Sequence, residues 1–248
     1  MHFPEKIKCF NALDLKLLAM AFMLCDHLWA TVIPGSAWLN DIGRLAFPIF
    51  AFQIVEGYFH TKDFKRYLKR IFLFALISET PFNLMTGGSM INPFEQNVLF
   101  TFCLSLLFIR FMERAREKST WLWLLSVVFS FWAGYLAGNL TFVNYFGSGV
   151  VMVLLFYVFR GTSWGWLGLL LGMIYVNAEL ISGRMYDVTL LGHTFQYYQQ
   201  GYAVLALIPI WLYNGRQGPY SRKIQMACYW FYPVHMLVLS LIWLYVVI

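Results

Sequence analysis

The sequence predicts an all-α, polytopic integral membrane protein with about nine transmembrane helices, its N-terminus cytoplasmic and its C-terminus outside. Three observations predict it. First, 60% of the 248 residues are hydrophobic and only 12% are charged, roughly half the charged fraction of an ordinary soluble domain. In water such a chain would expose more apolar surface than a monomer tolerates. Second, the apolar runs are long and continuous, which favours helices over the short alternating strands of a membrane barrel. Third, Lys and Arg gather in alternate loops.

Nine runs read as helices: 13–33, 43–60, 67–86, 97–112, 120–138, 143–160, 164–181, 197–213 and 226–248. With the N-terminus inside, the inner segments carry Lys6, Lys8 and Lys16; Lys62, Lys65, Arg66, Lys69 and Arg70; Arg110, Arg114, Arg116 and Lys118; Arg160; and Arg216, Arg222 and Lys223. Only Arg44 and Arg184 fall outside, so sixteen of the eighteen basic residues share one side. That obeys the positive-inside rule. The net charge of +6 is therefore a topology signal, and no nucleic-acid partner is expected. Residues 1–248 read as a single domain without long linker, low-complexity stretch or internal repeat. The first run is interrupted by Asp26-His27 and lacks a small-residue cleavage site, so it reads as a retained helix rather than a signal peptide. Cys9, Cys25, Cys103 and Cys228 form no CxxC pair and read as free thiols, with no metal site expected.

An ionisable group inside a span costs about 2.5–3.5 kcal/mol on insertion scales, so the polar residues within the runs are the informative ones. The first run holds Asp26 and His27. Successive helical residues point about 100° apart, so the two should find different partners. His27 is a candidate general base, because an imidazole titrates near neutral pH. The alternative is a structural polar pair in which Asp26 bonds a neighbour's arginine, and Arg44 at the outer end of the second run has the right depth. Further along that run Pro48 predicts a kink, and Gln53, Glu56 and His60 share one face with Gly57. The third run places Glu79 and Asn83 four residues apart; the fourth spaces Asn97, Thr101 and Ser105 by four. These groups either line a hydrated cavity or form interhelical hydrogen bonds. The seventh run adds Asn177 and Glu179, the ninth Tyr232, Pro233 and His235.

The inner stretch HTKDFKRYLKR, 60–70, is basic with interleaved apolar residues. It meets anionic lipid headgroups, or it docks a phosphate-bearing cytosolic cofactor. There is no Walker loop, GxGxxG, GxSxG or HExxH. Read alone, the polar constellation fits a membrane enzyme or a proton-coupled transporter or flippase, with a non-catalytic scaffold as a third class.

Several segments, in order, resemble the TraX family, membrane proteins named for N-terminal acetylation of conjugative pilin. They are LKLLAMAFMLCDH (15–27), IGRLAFPIFAFQIVEGYFHTKDFKRYLKR (42–70), LISETPFNL (76–84), NVLFTF (97–102), YFGSGVVMVLLFYVFRG (145–161), LYNGRQG (212–218) and YWFYPVHMLVL (229–239). Through Phe47, Pro48, Phe50, Phe52 and Gly57, and through a preceding helix with a buried His, the chain is distantly similar to transmembrane acyltransferases such as heparan-α-glucosaminide N-acetyltransferase.

The resemblance implies a multi-pass acetyltransferase, located by inference in the bacterial inner membrane. It would move an acetyl group from cytosolic acetyl-CoA to an amine or hydroxyl at the outer face, on a pilin N-terminus, a glycan or a small amine. It implies His27 as the catalytic base, with Asp26 and Glu56 as the other catalytic candidates. Arg44, Glu79, Asn97, Tyr232 and His235 are the supporting set, Asn97 or Tyr232 serving the oxyanion. Lys65, Arg66, Lys69, Arg70, Arg222 and Lys223 are the candidate holders of the coenzyme A phosphates. Direct attack on the thioester and a covalent acetyl-His27 intermediate both remain open, direct transfer being preferred. Outer loops 34–42, 86–96 and 182–196 would select the acceptor.

Overall fold

The computed structural model describes residues 7–181, 183–190, 193–219 and 221–247. Lys6, positions 182, 191 and 192 within the stretch 182–196, and position 248 lie outside the described residues. The chain is mostly helical. Its elements are α1 (Ala12–Thr31), α2 (Ala37–Gly43), α3 (Ala46–His60), α4 (Phe64–Gly87), α5 (Val98–Arg116), α6 (Thr120–Leu140), α7 (Phe146–Val158) and α8 (Gly165–Tyr175). There follow a π-helical turn (Val176–Leu180), β1 (Met185–Leu190), β2 (His193–Tyr198), a 3-10 stretch (Gln199–Ala206), α9 (Leu207–Trp211) and α10 (Arg222–Ile242), which ends in a second π turn.

Local chemistry sets the boundaries. Asn11 and Asp14 form a reciprocal capping box at the start of α1. Asp63, Asn97, Ser119 and Ser221 cap α4, α5, α6 and α10 through their side chains, each satisfying a backbone N–H that the helix leaves unpaired. Gly88, left-handed at φ 66°, closes α4.

Three expectations need correction. The run 197–213 is not one helix: Gln199 and Gln200 are buried and spend their amides on other elements, and Pro209 stands inside α9, so the stretch divides into 3-10 and short α-helix. The stretch 182–196, expected as a loop, holds β1 and most of β2, an antiparallel pair with Met185 opposite Tyr198, within an otherwise helical fold. The loop 34–42 contains most of α2, which leaves Arg44 between two helices rather than inside one. Gly57 admits the Tyr67 side chain, whose hydroxyl donates to the Ile54 carbonyl at 3.3 Å.

Helix α7 is the centre of the bundle: every residue from Gly147 to Tyr157 is buried. Helix α6 packs on it inside out. Its buried face is Ser126, Ser130, Gly134 and Gly138, while Trp121, Leu125, Val128 and Trp132 are exposed. A Cβ added at Gly138 would lie 2.7 Å from the Gly147 Cα. Small residues at a helix contact with large apolar groups outside is the pattern of a lipid-facing helix. Among the described residues, Thr120–Leu140 and Arg222–Tyr245 are long and apolar enough to cross a membrane, and Phe146–Val158 and Gly165–Leu180 are shorter apolar helices. Helices α1, α4 and α5 carry more charge, as α1 does with Asp14, Lys16 and Asp26, and α2, α3 and α9 are short.

Helix direction follows from contacts. Gln53 of α3 donates to the Ala12 carbonyl where α1 begins, and Arg44 just before α3 pairs with Asp26 near the end of α1, so these helices are antiparallel. Helices α4 and α10 are parallel: Phe74 stacks on Tyr229 at 4.9 Å, and Phe82 and Met85 pack with Met236 further on. One end of the bundle therefore gathers the starts of α1, α4 and α10 with the ends of α3, α5 and α7. Most Lys and Arg lie at this basic end. The opposite end holds α2, the hairpin and the end of α1.

Candidate functional site

His27 sits in the last turns of α1, and His235 follows Pro233 on α10. The parallel packing of the two helices brings their imidazoles together. His27 Nδ1 and His235 Nε2 are 2.7 Å apart. The rings lie within 6° of parallel with centroids 4.9 Å apart. That separation with so short an N···N contact is an edge-to-edge hydrogen bond in a common plane, not a face-to-face stack. On its other side His235 Nδ1 is 2.6 Å from the Phe231 carbonyl oxygen, and the Phe231 ring stacks over it at 4.6 Å. His235 is buried at 7% exposure, whereas His27 is partly exposed.

Asp26 turns away from this pair. Its carboxylate accepts from the Arg44 guanidinium and, at 2.7 Å, from Asn40 Nδ2. Gln199 donates to both Asn40 Oδ1 at 2.5 Å and Asp41 Oδ1 at 2.6 Å, and the Tyr186 hydroxyl donates to Asp41 at 3.1 Å. The network ties α1, α2, β1 and the 3-10 stretch into one unit. Gly43 lies under it, because a Cβ there would fall 2.5 Å from the Asp26 Cβ.

Glu79 and Asn97 form a third cluster. Asn97 donates to Glu79 Oε2 at 2.5 Å and to the Ala75 carbonyl at 2.8 Å, and its Oδ1 caps Leu99. Both amide hydrogens and the oxygen are thus committed, which leaves Asn97 without a free donor for an oxyanion. Tyr232 is placed differently. It lines a cavity of about 470 Å³, and its ring is 6.1 Å from that of His235. The size is that of a small-molecule site. From Tyr232 the cavity runs past Phe102, Phe50 and Leu15 to Lys16, Arg70, His60 and Gln217 at the basic end.

The sequence profile of the TraX protein family matches residues 12–243. The chain belongs to the TraX family. A curated relative, the probable fimbrial assembly protein FimC, serogroup H1, of Dichelobacter nodosus, is 32% identical over 121 residues, which is 44% of this chain and 49% of that protein. The chain thus spans about half the length of the curated relative it matches. No solved structure matches.

The TraX-family chain separates the remaining candidates. Glu56 lines the cavity, but Arg160 holds it at 2.5 Å and 3.3 Å, and His60 stands 3.8 Å away. Twelve residues separate it from Arg44 along α3, about 18 Å at 1.5 Å per residue, so Glu56 belongs to the basic end and does not reach His27. Arg70 lines the cavity with its guanidinium over the Tyr67 and Tyr229 rings. Lys65, Arg66 and Lys69 on α4, with Arg222 and Lys223 on α10, are exposed at the same end. Lys16, in the second turn of α1, lines the cavity and was visible in the sequence only as one more inner charge. Cys228 also lines it, and all four cysteines are free. Among the described residues no three His, Cys, Asp or Glu converge as a metal site would require.

Proposed function

We propose that this TraX-family protein is a membrane acetyltransferase that carries an acetyl group from cytosolic acetyl-CoA to an acceptor at the opposite membrane face. The observation that carries the reading is the cavity, which opens among basic residues and reaches Tyr232 beside the His27–His235 pair. Coenzyme A would set its phosphates on Lys65, Arg66, Lys69, Arg70, Arg222 and Lys223, with Lys16 added, where charge-assisted bonds are strongest. Its acetylated arm would follow the apolar cavity wall inward. In the transfer step the acceptor amine attacks the thioester carbonyl while His27 takes the amine proton. The C–S bond then breaks, and the leaving thiolate takes that proton back from the base, which restores it. The Tyr232 hydroxyl is the candidate oxyanion donor.

In this reading all nine apolar runs lie within the bilayer, the basic end facing the cytoplasm, with helices too charged to qualify individually shielded by their neighbours. The domain is a single acyltransferase-like unit of a bacterial inner membrane, in contact with its lipid. The family's name and the relative described as a fimbrial assembly protein favour a pilin-type polypeptide amine as acceptor over a glycan or small amine.

The test is thiol release from acetyl-CoA by the purified protein in detergent, with and without peptide and small-molecule amines. Amine-dependent release is expected. Folded protein that neither binds nor turns over acetyl-CoA contradicts the reading and favours proton-coupled transport.

A further inference from the structure

We infer that His235 is a positioning residue that fixes which nitrogen of His27 is basic and accepts the charge when that nitrogen is protonated. The catalytic consequence rests on the acetyltransferase reading; the geometry does not. The chain of contacts has a single polarity. A carbonyl oxygen only accepts, so His235 Nδ1, 2.6 Å from the Phe231 oxygen, carries a hydrogen. In neutral His235 the lone pair is then on Nε2, which only accepts. His27 Nδ1, 2.7 Å away and in the same plane, therefore donates to it. Neutral His27 with its hydrogen on Nδ1 keeps its lone pair on Nε2. A free imidazole side chain favours the opposite tautomer, so the pair imposes a choice that His27 alone would not make.

The proton count closes. When His27 Nε2 takes the proton of the attacking amine, the Nδ1 hydrogen passes to His235 Nε2. His27 ends neutral, with its hydrogen on Nε2. His235 becomes the imidazolium, its Nδ1–H still held by the Phe231 carbonyl and its face against the Phe231 ring at 4.6 Å. Bases of this kind are usually oriented by a third group, often a carboxylate. Asp26 is unavailable for that role, since Arg44 and Asn40 already hold it. A second imidazole and a backbone carbonyl fill it here.

Nitrogen-15 spectra of the full-length protein labelled at histidine, recorded in micelles where both rings are neutral, test the assignment without reference to activity. The five histidines are assigned by single substitution. The expected result is a protonated Nδ1 and an unprotonated Nε2 on His27. In H235L, His27 returns to the Nε2–H tautomer and thiol release falls about tenfold or more. In H235Q, whose side-chain carbonyl accepts the same hydrogen, the Nδ1–H tautomer persists and much of the rate returns. Wild-type His27 bearing its hydrogen on Nε2, or an H235L protein with unchanged tautomer, overturns the inference. The expected tautomers in a wild type that releases no thiol would uphold His235 as the residue that sets the tautomer of His27 and remove the acetyltransferase reading.

Discussion

Asp26 and His27 are adjacent in sequence and serve opposite ends. Asp26 enters a network in which each carboxylate and amide is answered by another, across α1, α2, β1 and the 3-10 stretch. His27 meets one partner, His235, and keeps part of its surface accessible, and His235 in turn stands beside Tyr232 at the end of the cavity. The difference follows from helix geometry, since neighbouring side chains diverge by about 100°. One helix end can therefore be locked by one residue and made reactive by the next. If the Asp26 side supports the fold and the His27 side supports the proposed chemistry, substitutions should separate them.

The largest effect on stability is expected at Asp26→Ala. It leaves the Arg44 guanidinium without its carboxylate. The two side chains are 19% and 21% exposed, so the loss should sit near the low end for a broken buried pair, about 3 kcal/mol. Thermal unfolding in detergent would show it, and adding Arg44→Met should recover part of the loss by removing the orphaned charge. Equal destabilisation by His27→Ala would erase the contrast. Next is Gly43→Ala, whose Cβ would sit 2.5 Å from the Asp26 Cβ and 2.9 Å from its Cα. Overpacking of this kind costs about 1–3 kcal/mol, again read from the unfolding midpoint.

Smallest is Glu56→Gln. Its partner Arg160 lies at the basic end, so we expect KM for acetyl-CoA to change about threefold, with kcat within about twofold. A collapse of kcat would return Glu56 to the chemistry.

What the sequence disclosed and what it hid divide along physical lines. Long apolar runs announced the helices, because burial and lipid contact need many residues of one kind. The 3-10 stretch, α2 and the hairpin escaped because they are short, and at positions such as Gln199 and Asp41 they are held by tertiary hydrogen bonds that no local pattern encodes. Asp26 could be matched to Arg44 by depth and charge, and the structure forms that pair. His235 could not be matched to His27. The two are separated by 208 positions, and only the parallel packing of the first and last helices joins them. Asn97 looked like a free donor, whereas its place at a helix N-terminus commits it to capping and to Glu79.

The measurement that bears most directly on the account is the rate of thiol release from acetyl-CoA and the unfolding midpoint, taken on the same preparations of wild type and His27→Ala. A rate lowered by about 10² or more, with a midpoint close to wild type, is expected. A His27→Ala protein that keeps its rate, or loses it only in proportion to its stability, would contradict it.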